Sequence, residues 1–145
     1  MENFAPIIGL IVIILLIVII VKIKKAIRHK HSTCPNCKKE YSYPEDFEII
    51  ASPLKWRVEK KEEKKVDFTY EIEYKVFYRI VTFNFKCSKC GHAHWYNKSF
   101  DVYRSDSKYS QSDAEELMVL KNQIRSQFDK NMFDDKEIEV YLAED

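Results

Sequence analysis

The sequence predicts an α+β protein in which an antiparallel β-sheet lies between an apolar N-terminal helix and one or two C-terminal helices. Three observations predict this order. Residues 4–21 carry no charge, residues 41–109 hold 16 of the 20 aromatic side chains, and apolar residues recur at helical spacing after Ser112. The sequence contains no internal repeat.

The length of 145 residues is enough for one membrane-sized helix and one small domain. We expect an anchor at residues 1–31 and a domain at residues 32–145. Within the domain, the sheet is expected at about residues 38–104 and the helices at about residues 112–143.

Residues 4–21 predict a transmembrane helix. The run consists mainly of Ile, Leu and Val, and at 1.5 Å per residue such a helix nearly crosses a hydrocarbon core of ~30 Å. A secretory signal peptide is a weaker interpretation, because no positive charge precedes the run and no small-x-small cleavage site follows it. A buried core helix is the other alternative. It is less suitable, because so small a domain could not cover a helix that is apolar on all sides.

Basic residues follow the apolar run and predict its orientation. By the positive-inside rule they hold residues 32–145 in the cytoplasm and leave the N-terminus outside. We expect these side chains to contact the surface of the lipid bilayer, either as a topology signal alone or by recognising particular lipids. They are Lys22, Lys24, Lys25, Arg28 and Lys30. The expected location is therefore a membrane that the chain crosses once.

The four cysteines form two C-x-x-C pairs that 49 residues separate. A C-x-x-C turn presents two thiolates from one tight loop, so two such turns supply the four soft ligands of a tetrahedral Zn²⁺ site. In a reducing cytoplasm these thiols stay available for metal instead of forming disulfides. Gly91 follows the second pair, where a metal-binding turn often needs a positive φ, whereas Lys38 follows the first pair. The predicted ligands are Cys34, Cys37, Cys87 and Cys90.

This pattern resembles the zinc ribbons, in which two cysteine turns on β-hairpins clamp one structural zinc ion. The resemblance covers the four cysteines and Gly91. It is generic, since zinc ribbons serve transcription, translation, redox and scaffolding proteins, and it implies a fold element and a metal but no activity. The 49-residue separation exceeds the usual ribbon spacing, which indicates strands inserted between the turns.

Other uses of the cysteines stay open. Four cysteines also hold iron in rubredoxin-like sites, and C-x-x-C pairs can act in thiol redox chemistry or form disulfides. His92 and His94 lie close to Cys90 in the sequence. With four cysteines present, the two histidines are more simply explained as strand or surface residues than as ligands.

The aromatic stretch predicts the strands of the sheet. Residues 54–60 form one strand, and the charged residues 59–65 form the exposed end of a hairpin. Apolar and polar residues then alternate over residues 66–76. The apolar positions change parity after that, which predicts a bulge or bend between residues 76 and 81. Residues 94–103 form the strand that leaves the second cysteine turn, and the aromatic rings are expected to fill the core in preference to stacking on bases.

The C-terminal part predicts one or two helices after a polar linker at residues 104–111. Ser112 and Glu115 form a capping box. The apolar stripe of this helix, which should pack on the sheet or on a partner, consists of Leu117, Leu120, Ile124 and Phe128. Residues 134–137 resemble a second cap and predict a short further helix. Its apolar side would be Ile138, Tyr141 and Leu142.

The sequence indicates a binding module and not an enzyme. It contains no phosphate-binding glycine-rich loop, no nucleophile elbow and no H-E-x-x-H motif. Four thiolates would also leave a zinc ion without an open position for catalysis. We therefore expect a membrane-anchored cytoplasmic adaptor or regulatory module with a protein partner. A net charge of −3 over residues 32–145 argues against a nucleic-acid partner, because a nucleic-acid surface is normally a basic patch that neutralises phosphates.

Two alternative functions follow from the same features. The C-x-x-C pairs are compatible with a membrane-tethered thiol redox protein. The cytoplasmic domain is also compatible with a nucleic-acid-binding or ribosome-binding module at the membrane, whose binding would weaken steeply with salt.

Overall fold

The structure, a computed structural model, describes residues 5–106 and 112–144 of the chain. It has the α+β organisation that the sequence predicts, with an apolar N-terminal helix, a five-stranded sheet and a C-terminal helix. Phe4, where the predicted membrane span begins, and residues 107–111 of the predicted linker lie outside the described residues. The elements are α1 (Ala5–Lys30), β1 (Phe47–Ala51), β2 (Lys55–Lys65), β3 (Phe68–Lys86), β4 (Ala93–Arg104), α2 (Asp113–Gln127), a 3₁₀ turn (Lys130–Met132) and β5 (Tyr141–Leu142).

The helix α1 is apolar and uncovered. An 18-residue window within Ile7–Ile27 has a mean hydropathy of 3.1, and 0% of that window is buried. The 26 residues of α1 span about 39 Å, so the helix is long and apolar enough to cross a membrane. The helix continues through the basic residues and ends at Lys30.

The strand β3 lies at the centre of the sheet and has neighbours along both edges. On one edge, residues 68–78 pair with β2 and residues 81–85 pair with β1. On the other edge, β4 pairs with residues 76–86. Ser52 fills the gap between β1 and β2, because its amide donates to the Ile80 carbonyl oxygen at 2.8 Å and its hydroxyl accepts from the Ile80 amide at 3.0 Å. β1 and β2 thus follow one another along a single edge of β3.

An irregularity lies where the sequence predicts a bulge or bend. The register between β3 and β4 shifts between Phe77 and Tyr78, and Val102 of β4 is left without a partner in β3. Buried side chains in β3 change parity across the same region, from Val76 to Val81. The predicted irregularity is therefore confirmed, but the extra residue lies in β4 and not in the strand that shows the parity change.

The β2–β3 hairpin extends well beyond the rest of the sheet. Its two strands pair in one register around a two-residue turn, Val66 and Asp67. β4 reaches only as far as Val76, so residues 58–75 form a ribbon that carries no third strand among the described residues. The charged residues 59–65 lie in the exposed end of this hairpin, as predicted. They belong to β2 throughout, so β2 is longer than the predicted strand.

The core lies between one face of the sheet and the C-terminal part of the chain. Phe83 of β3 is fully buried, and its ring meets the Phe100 ring of β4 and the Phe128 ring after α2 edge to face, at centroid distances of 6.3 and 5.2 Å. Such aromatic pairs add about 0.5–1.5 kcal/mol to the free energy of burial. Other core residues include Phe47, Ile49, Val81, Phe85, Val102, Leu120, Ile124, Met132, Phe133 and Ile138.

The helix α2 begins at the predicted capping box. The Ser112 hydroxyl accepts from the Glu115 amide at 3.4 Å, and the Glu115 carboxylate accepts from the Ser112 amide at 3.2 Å. Glu116, in the first turn, is buried and pairs with Arg79 of β3 at 2.5 Å, which fixes the start of the helix on the sheet. The buried members of the predicted apolar stripe are Leu120, Ile124 and Phe128.

The predicted second C-terminal helix is wrong. Asp134 and Asp135 have φ values of 43° and 58°, a left-handed conformation that does not begin a right-handed helix. The chain then runs to β5, which pairs with β1 in parallel, so the sheet is mixed and not antiparallel as predicted. Phe133 and Ile138 are buried in the core. Tertiary packing therefore determines this segment and overrides the local cap signal.

Candidate metal centre

The first cysteine pair lies in a tight turn just after α1. The Cys34 carbonyl oxygen accepts from the Lys38 amide at 2.9 Å, and the Cys34 amide donates to the Lys39 carbonyl oxygen at 2.8 Å. These hydrogen bonds close the turn around Cys37. Lys38 has a φ of 61°, which is uncommon for a residue with a side chain.

The second pair lies in an equivalent turn between β3 and β4. The Cys87 carbonyl oxygen accepts from the Gly91 amide at 2.8 Å, and the Cys87 amide donates to the His92 carbonyl oxygen at 2.9 Å. These are the hydrogen bonds of the first turn, at the same spacing from the first cysteine. Gly91 has a φ of 72° and occupies the place of Lys38. The two turns therefore share one backbone conformation, although only the second has the glycine that predicts it.

The two turns bring the four sulfur atoms into one cluster. Cys34 Sγ lies 3.6 Å from Cys90 Sγ, and Cys37 Sγ lies 3.6 Å from Cys87 Sγ. All four sulfur atoms lie within 4.8 Å of one another. Four sulfur ligands at about 2.3 Å from a tetrahedral zinc ion would be about 3.8 Å apart. The cluster therefore has the size of a site for one metal ion.

The cluster is buried on one side and open on the other. Cys34 and Cys87, the first cysteines of the two turns, are 0% and 1% exposed. Cys37 is half-buried and Cys90 is exposed. No disulfide joins these residues. A metal ion held here would be shielded by the core from one direction and reachable by solvent from the other.

The turns stabilise some of the thiolates and not others. Burial raises the pKa of Cys34, but two backbone amides of the same turn donate to its sulfur and bring its pKa down to about 6. The His92 amide lowers the pKa of Cys90. The Lys39 amide acts in the same way on Cys37, but burial and the neighbouring sulfur atoms outweigh it and raise the pKa of Cys37 to about 11. A cation between the four sulfur atoms would favour the thiolate form of all of them.

Aromatic rings lie behind the buried side of the cluster. The Tyr41 ring lies 4.9 Å from the Phe85 ring, and the His94 ring stacks on Phe85 at 4.8 Å. The Tyr41 hydroxyl lies 3.4 Å from His94 Nδ1. Burial is the main cause that raises the pKa of Tyr41 and lowers the pKa of His94. Neither His92 nor His94 belongs to the group of possible metal ligands.

Asp46 links the two turns by hydrogen bonds. Its carboxylate is 0% exposed and accepts from the Lys39 ammonium at 2.7 and 2.9 Å, from the Ser88 amide at 2.7 Å and from the Ser42 amide at 2.8 Å. Lys39 follows the first cysteine pair, and Ser88 lies inside the second. Burial alone would raise the pKa of Asp46, but the hydrogen bonds outweigh burial and lower it to about 2. Asp46 is therefore ionised at any physiological pH.

The sequence does not single out Asp46. Its neighbour Glu45 is also acidic, yet Glu45 is exposed and Asp46 is buried. The difference arises from strand pairing, because the Lys86 amide at the end of β3 donates to the Asp46 carbonyl oxygen at 2.8 Å. This contact between residues distant in sequence places Asp46 beside the second turn. No local pattern could have identified it.

The predicted membrane-contact residues lie in the last turns of α1. The helix backbone extends through all of them to Lys30, four residues before Cys34. Directly after the end of the helix in the sequence, the His31 ring lies 4.5 Å from the Tyr96 ring of β4. The metal centre is thus next to the end of α1 in the chain. Lys22, Lys24 and Lys25 have exposed side chains, and the side chains of Arg28 and Lys30 lie outside those that the structure describes.

The geometry of the four cysteines is what indicates a metal centre in this chain. Comparison with protein families, curated proteins and solved structures finds no match. Four sulfur atoms at these distances can hold one tetrahedral ion and would leave it no open coordination position.

Proposed function

We propose that the chain is a single-pass membrane protein with a cytoplasmic domain, residues 32–145. One structural Zn²⁺ ion holds this domain together, and the domain acts as an adaptor or regulatory module for another protein. The observation that carries this proposal is the cluster of four sulfur atoms within 4.8 Å, directly after an uncovered apolar helix. The ligands would be Cys34, Cys37, Cys87 and Cys90.

The exposure of α1 supports the membrane anchor. Large apolar side chains along the helix are about half exposed, for example Ile13 at 55% and Leu16 at 53%. Soluble proteins rarely expose so large a contiguous apolar surface. In a bilayer the same surface would be buried in lipid, and the basic side chains at the helix end would lie at the cytoplasmic headgroups.

The closed set of ligands supports a structural role for the metal. Four thiolates complete the tetrahedral shell of Zn²⁺ and leave no position for a reactive water molecule. The ion would join the first turn, after α1, to the second turn at the corner of β3 and β4. It would therefore connect the anchor to the sheet, which resembles the clamp of a zinc ribbon.

A cavity and an exposed tryptophan on the outer face of the sheet support the proposal of a protein partner. A shallow cavity of about 500 Å³ lies there, and its lining includes Glu48, Asn84 and Trp95 from three adjacent strands and Asp46 of the metal centre. The Trp95 side chain is 66% exposed. Exposed tryptophan beside charged and amide side chains is typical of a protein interface. The partner would thus bind beside the metal centre, on the face that α2 does not cover.

Metal analysis of the full-length chain in detergent tests the metal part of the proposal. We expect about one zinc ion per chain and a lower unfolding temperature when a chelator removes it. The exposed Cys90 favours the alternative of a thiol redox protein. That alternative predicts little bound metal and a reversible change between free thiols and disulfides, which would contradict the structural zinc.

Photo-crosslinking in intact membranes tests the adaptor part. A photo-reactive residue at position 95 should give one discrete protein adduct. The same residue at position 137, whose Glu side chain is 86% exposed, is the control and should not give this adduct. Absence of the adduct at position 95, or equal labelling at both positions, would contradict a partner on the outer face.

A further inference from the structure

The two tryptophans of the chain are both exposed, but their surroundings differ. Trp56 in β2 is 55% exposed, and Trp95 in β4 is 66% exposed. The Lys75 ammonium lies 4.4 Å from the centre of the Trp56 ring. Within the described part of the chain, no lysine or arginine lies over the Trp95 ring. Trp95 thus offers solvent an aromatic face of the kind that attracts cations.

Trp95 belongs to a row of three side chains that crosses the outer face of the sheet. Glu48 of β1 pairs with Asn84 of β3, and Asn84 pairs with Trp95 of β4. Neighbouring strands lie about 4.8 Å apart, so the row spans about 10 Å. Phe83 and Phe85, on either side of Asn84, are buried in the core, which places the row on the opposite face. We call these three residues the Trp95 row.

The polar groups of the Trp95 row have no partner side chain among the described residues. The Glu48 carboxylate forms none of the ion pairs there, and the Asn84 side-chain amide forms none of the hydrogen bonds. The next row along the strands differs, because the Thr82 hydroxyl donates to Asn97 Oδ1 at 2.8 Å. In the described structure, the Trp95 row therefore offers a carboxylate, an amide and an exposed ring to another molecule.

Elsewhere on the same face, an aromatic ring and a carboxylate together bind an arginine. The Arg104 guanidinium carbon lies 4.0 Å from the centre of the Tyr74 ring, and its nitrogens donate to the Asp106 carboxylate at 2.7 and 3.0 Å. Tyr74 and Asn84 are both even-numbered residues of β3, so their side chains point to the same face. This arrangement combines a cation–π contact with charge-assisted hydrogen bonds.

A second arginine on this face binds in the same way. The Arg57 guanidinium carbon lies 5.3 Å from the centre of the Tyr78 ring, and its nitrogens donate to the Asp101 carboxylate at 2.8 and 2.9 Å. Asp101 pairs with Tyr78 across the strands, so the ring and the carboxylate are direct neighbours. The Trp95 row has the same two components, a ring and a carboxylate, with an amide between them.

We propose that the Trp95 row binds an arginine side chain from an exposed segment of the partner protein. The guanidinium group would stack on the Trp95 ring and donate hydrogen bonds to the Glu48 carboxylate and to Asn84 Oδ1. This inference rests on the proposed function, because it specifies the chemistry of the partner that binds the outer face.

The shape and the charge of the site favour arginine over other cations. A guanidinium group is planar and carries five N–H donors, so it can stack on a ring and donate to two acceptors at once. A lysine ammonium is compact and more strongly hydrated. The exposed charged side chains in the lining of the cavity are Glu45, Glu48 and Lys86, two negative and one positive, so their net charge of −1 attracts a cation.

Binding of short peptides to the full-length chain tests this proposal. The probe is the peptide acetyl-Gly-Gly-Arg-Gly-Gly-amide, and the readout is the NMR signal of the Trp95 indole N–H in a neutral maltoside detergent without choline. We expect this signal to shift with a dissociation constant on the order of millimolar, and the Trp56 indole signal to stay unchanged. The same peptide with citrulline, which has the shape of arginine without its charge, should bind at least about fivefold more weakly.

Substitutions separate a specific site from general charge attraction. Glu48→Gln removes the charge and keeps the size of the side chain, and we expect about fivefold weaker binding. Glu45→Gln makes the same change in the lining of the cavity but outside the row, and should weaken binding less than about twofold. Trp95→Leu, followed through the Asn84 side-chain amide signal, should weaken binding about tenfold because the ring is lost. All three substituted side chains are exposed, and unchanged amide signals outside the cavity show that each variant is folded.

Three kinds of result would overturn the proposal. The Trp95 signal could stay unshifted up to about 20 mM of the arginine peptide. The citrulline peptide could bind as tightly as the arginine peptide, or Glu48→Gln could bind as tightly as the wild type. Choline chloride could shift the Trp95 signal as strongly as the arginine peptide, as expected if the ring binds a lipid headgroup.

The peptide titration and the crosslinking at position 95 can fail separately. An adduct without arginine binding would refute the arginine site and leave the adaptor in place. Arginine binding without an adduct would support the arginine site and contradict the adaptor.

Discussion

The two cysteine turns have the same backbone conformation and the same pattern of hydrogen bonds. They differ in sequence and in the contacts that hold them to the rest of the fold. The left-handed position is Gly91 in the second turn and Lys38 in the first, with φ values of 72° and 61°. A left-handed residue with a Cβ costs roughly 1–2 kcal/mol more than glycine. The first turn therefore adopts this conformation against its sequence preference, which indicates that contacts elsewhere impose it.

The contacts that hold each turn to the sheet also differ, and the second turn is again the better supported of the two. The second turn connects the paired ends of β3 and β4, where Lys86 pairs with Ala93. The first turn follows α1 and is closed by one isolated bridge between Thr33 and Glu40. Its links to the sheet include the sulfur cluster, the hydrogen bonds through Asp46 and the packing of the Tyr41 ring on Phe85. The first turn should therefore depend on the metal more strongly than the second.

Loss of a cysteine should have the largest effect. Cys34→Ser removes a buried ligand from the first turn, and we expect the free energy of unfolding to fall by at least about 3 kcal/mol, because the metal no longer completes its shell. Thermal unfolding of the full-length chain in detergent measures this. With excess chelator, wild type and variant should unfold at nearly the same temperature. If the unfolding temperatures of wild type and variant differed by as much in excess chelator as without it, the cysteine would matter for packing and not for metal binding.

Removing the charge of Asp46 should have the next largest effect. Asp46→Asn loses the charge-assisted hydrogen bonds that join Lys39 to Ser88, and we expect a loss of about 2–4 kcal/mol in stability and a 10- to 100-fold loss in metal affinity. Glu45→Gln is the matched control on the exposed neighbouring carboxylate and should change stability by less than about 0.5 kcal/mol. Chemical unfolding and competition with a metal-binding dye measure the two quantities. Equal effects of the two substitutions would contradict a link through Asp46.

A smaller effect is expected from Gly91→Ala. A Cβ atom at this position meets nothing within 4 Å, so the substitution costs only the strain of a left-handed alanine. We expect a loss of about 1 kcal/mol, measured by chemical unfolding. A loss below about 0.3 kcal/mol would show that the second turn relaxes and does not require φ near 72°.

The smallest effect, with the opposite sign, is expected from Lys38→Gly. Glycine relieves the strain of the left-handed position but adds conformational freedom to the unfolded chain, so we expect a net gain of up to about 0.5 kcal/mol. The same unfolding measurement checks it. A loss of 1 kcal/mol or more would mean that the Lys38 side chain, whose ammonium lies 3.1 Å from the Pro35 carbonyl oxygen, stabilises the turn more than its backbone strain costs.

The features that can be predicted from the sequence are those that local patterns determine. The uncharged run predicts α1, alternation predicts β3 and its irregularity, and Ser112 with Glu115 predicts the start of α2. The cysteine spacing predicts which four residues come together, because few other arrangements use two C-x-x-C turns.

The features that could not be predicted depend on contacts between distant residues. The burial of Asp46, and not of Glu45, follows from its position beside Lys86. The acidic residues 134–137 have the composition of a helix cap, but Phe133 and Ile138 are buried in the core on either side of them and hold the chain in a turn. The left-handed Lys38 has no sequence signal at all.

We expect a metal ion between the four cysteines to hold the first turn on the sheet. The sharpest test is hydrogen exchange of the backbone amides in the full-length chain, measured together with its zinc content before and after chelation. We expect about one zinc per chain, and on chelation a much larger loss of protection for the Lys38 amide of the first turn than for the Gly91 amide of the second. A chain that binds no metal, or one in which chelation leaves the protection of the Lys38 amide unchanged, would contradict it.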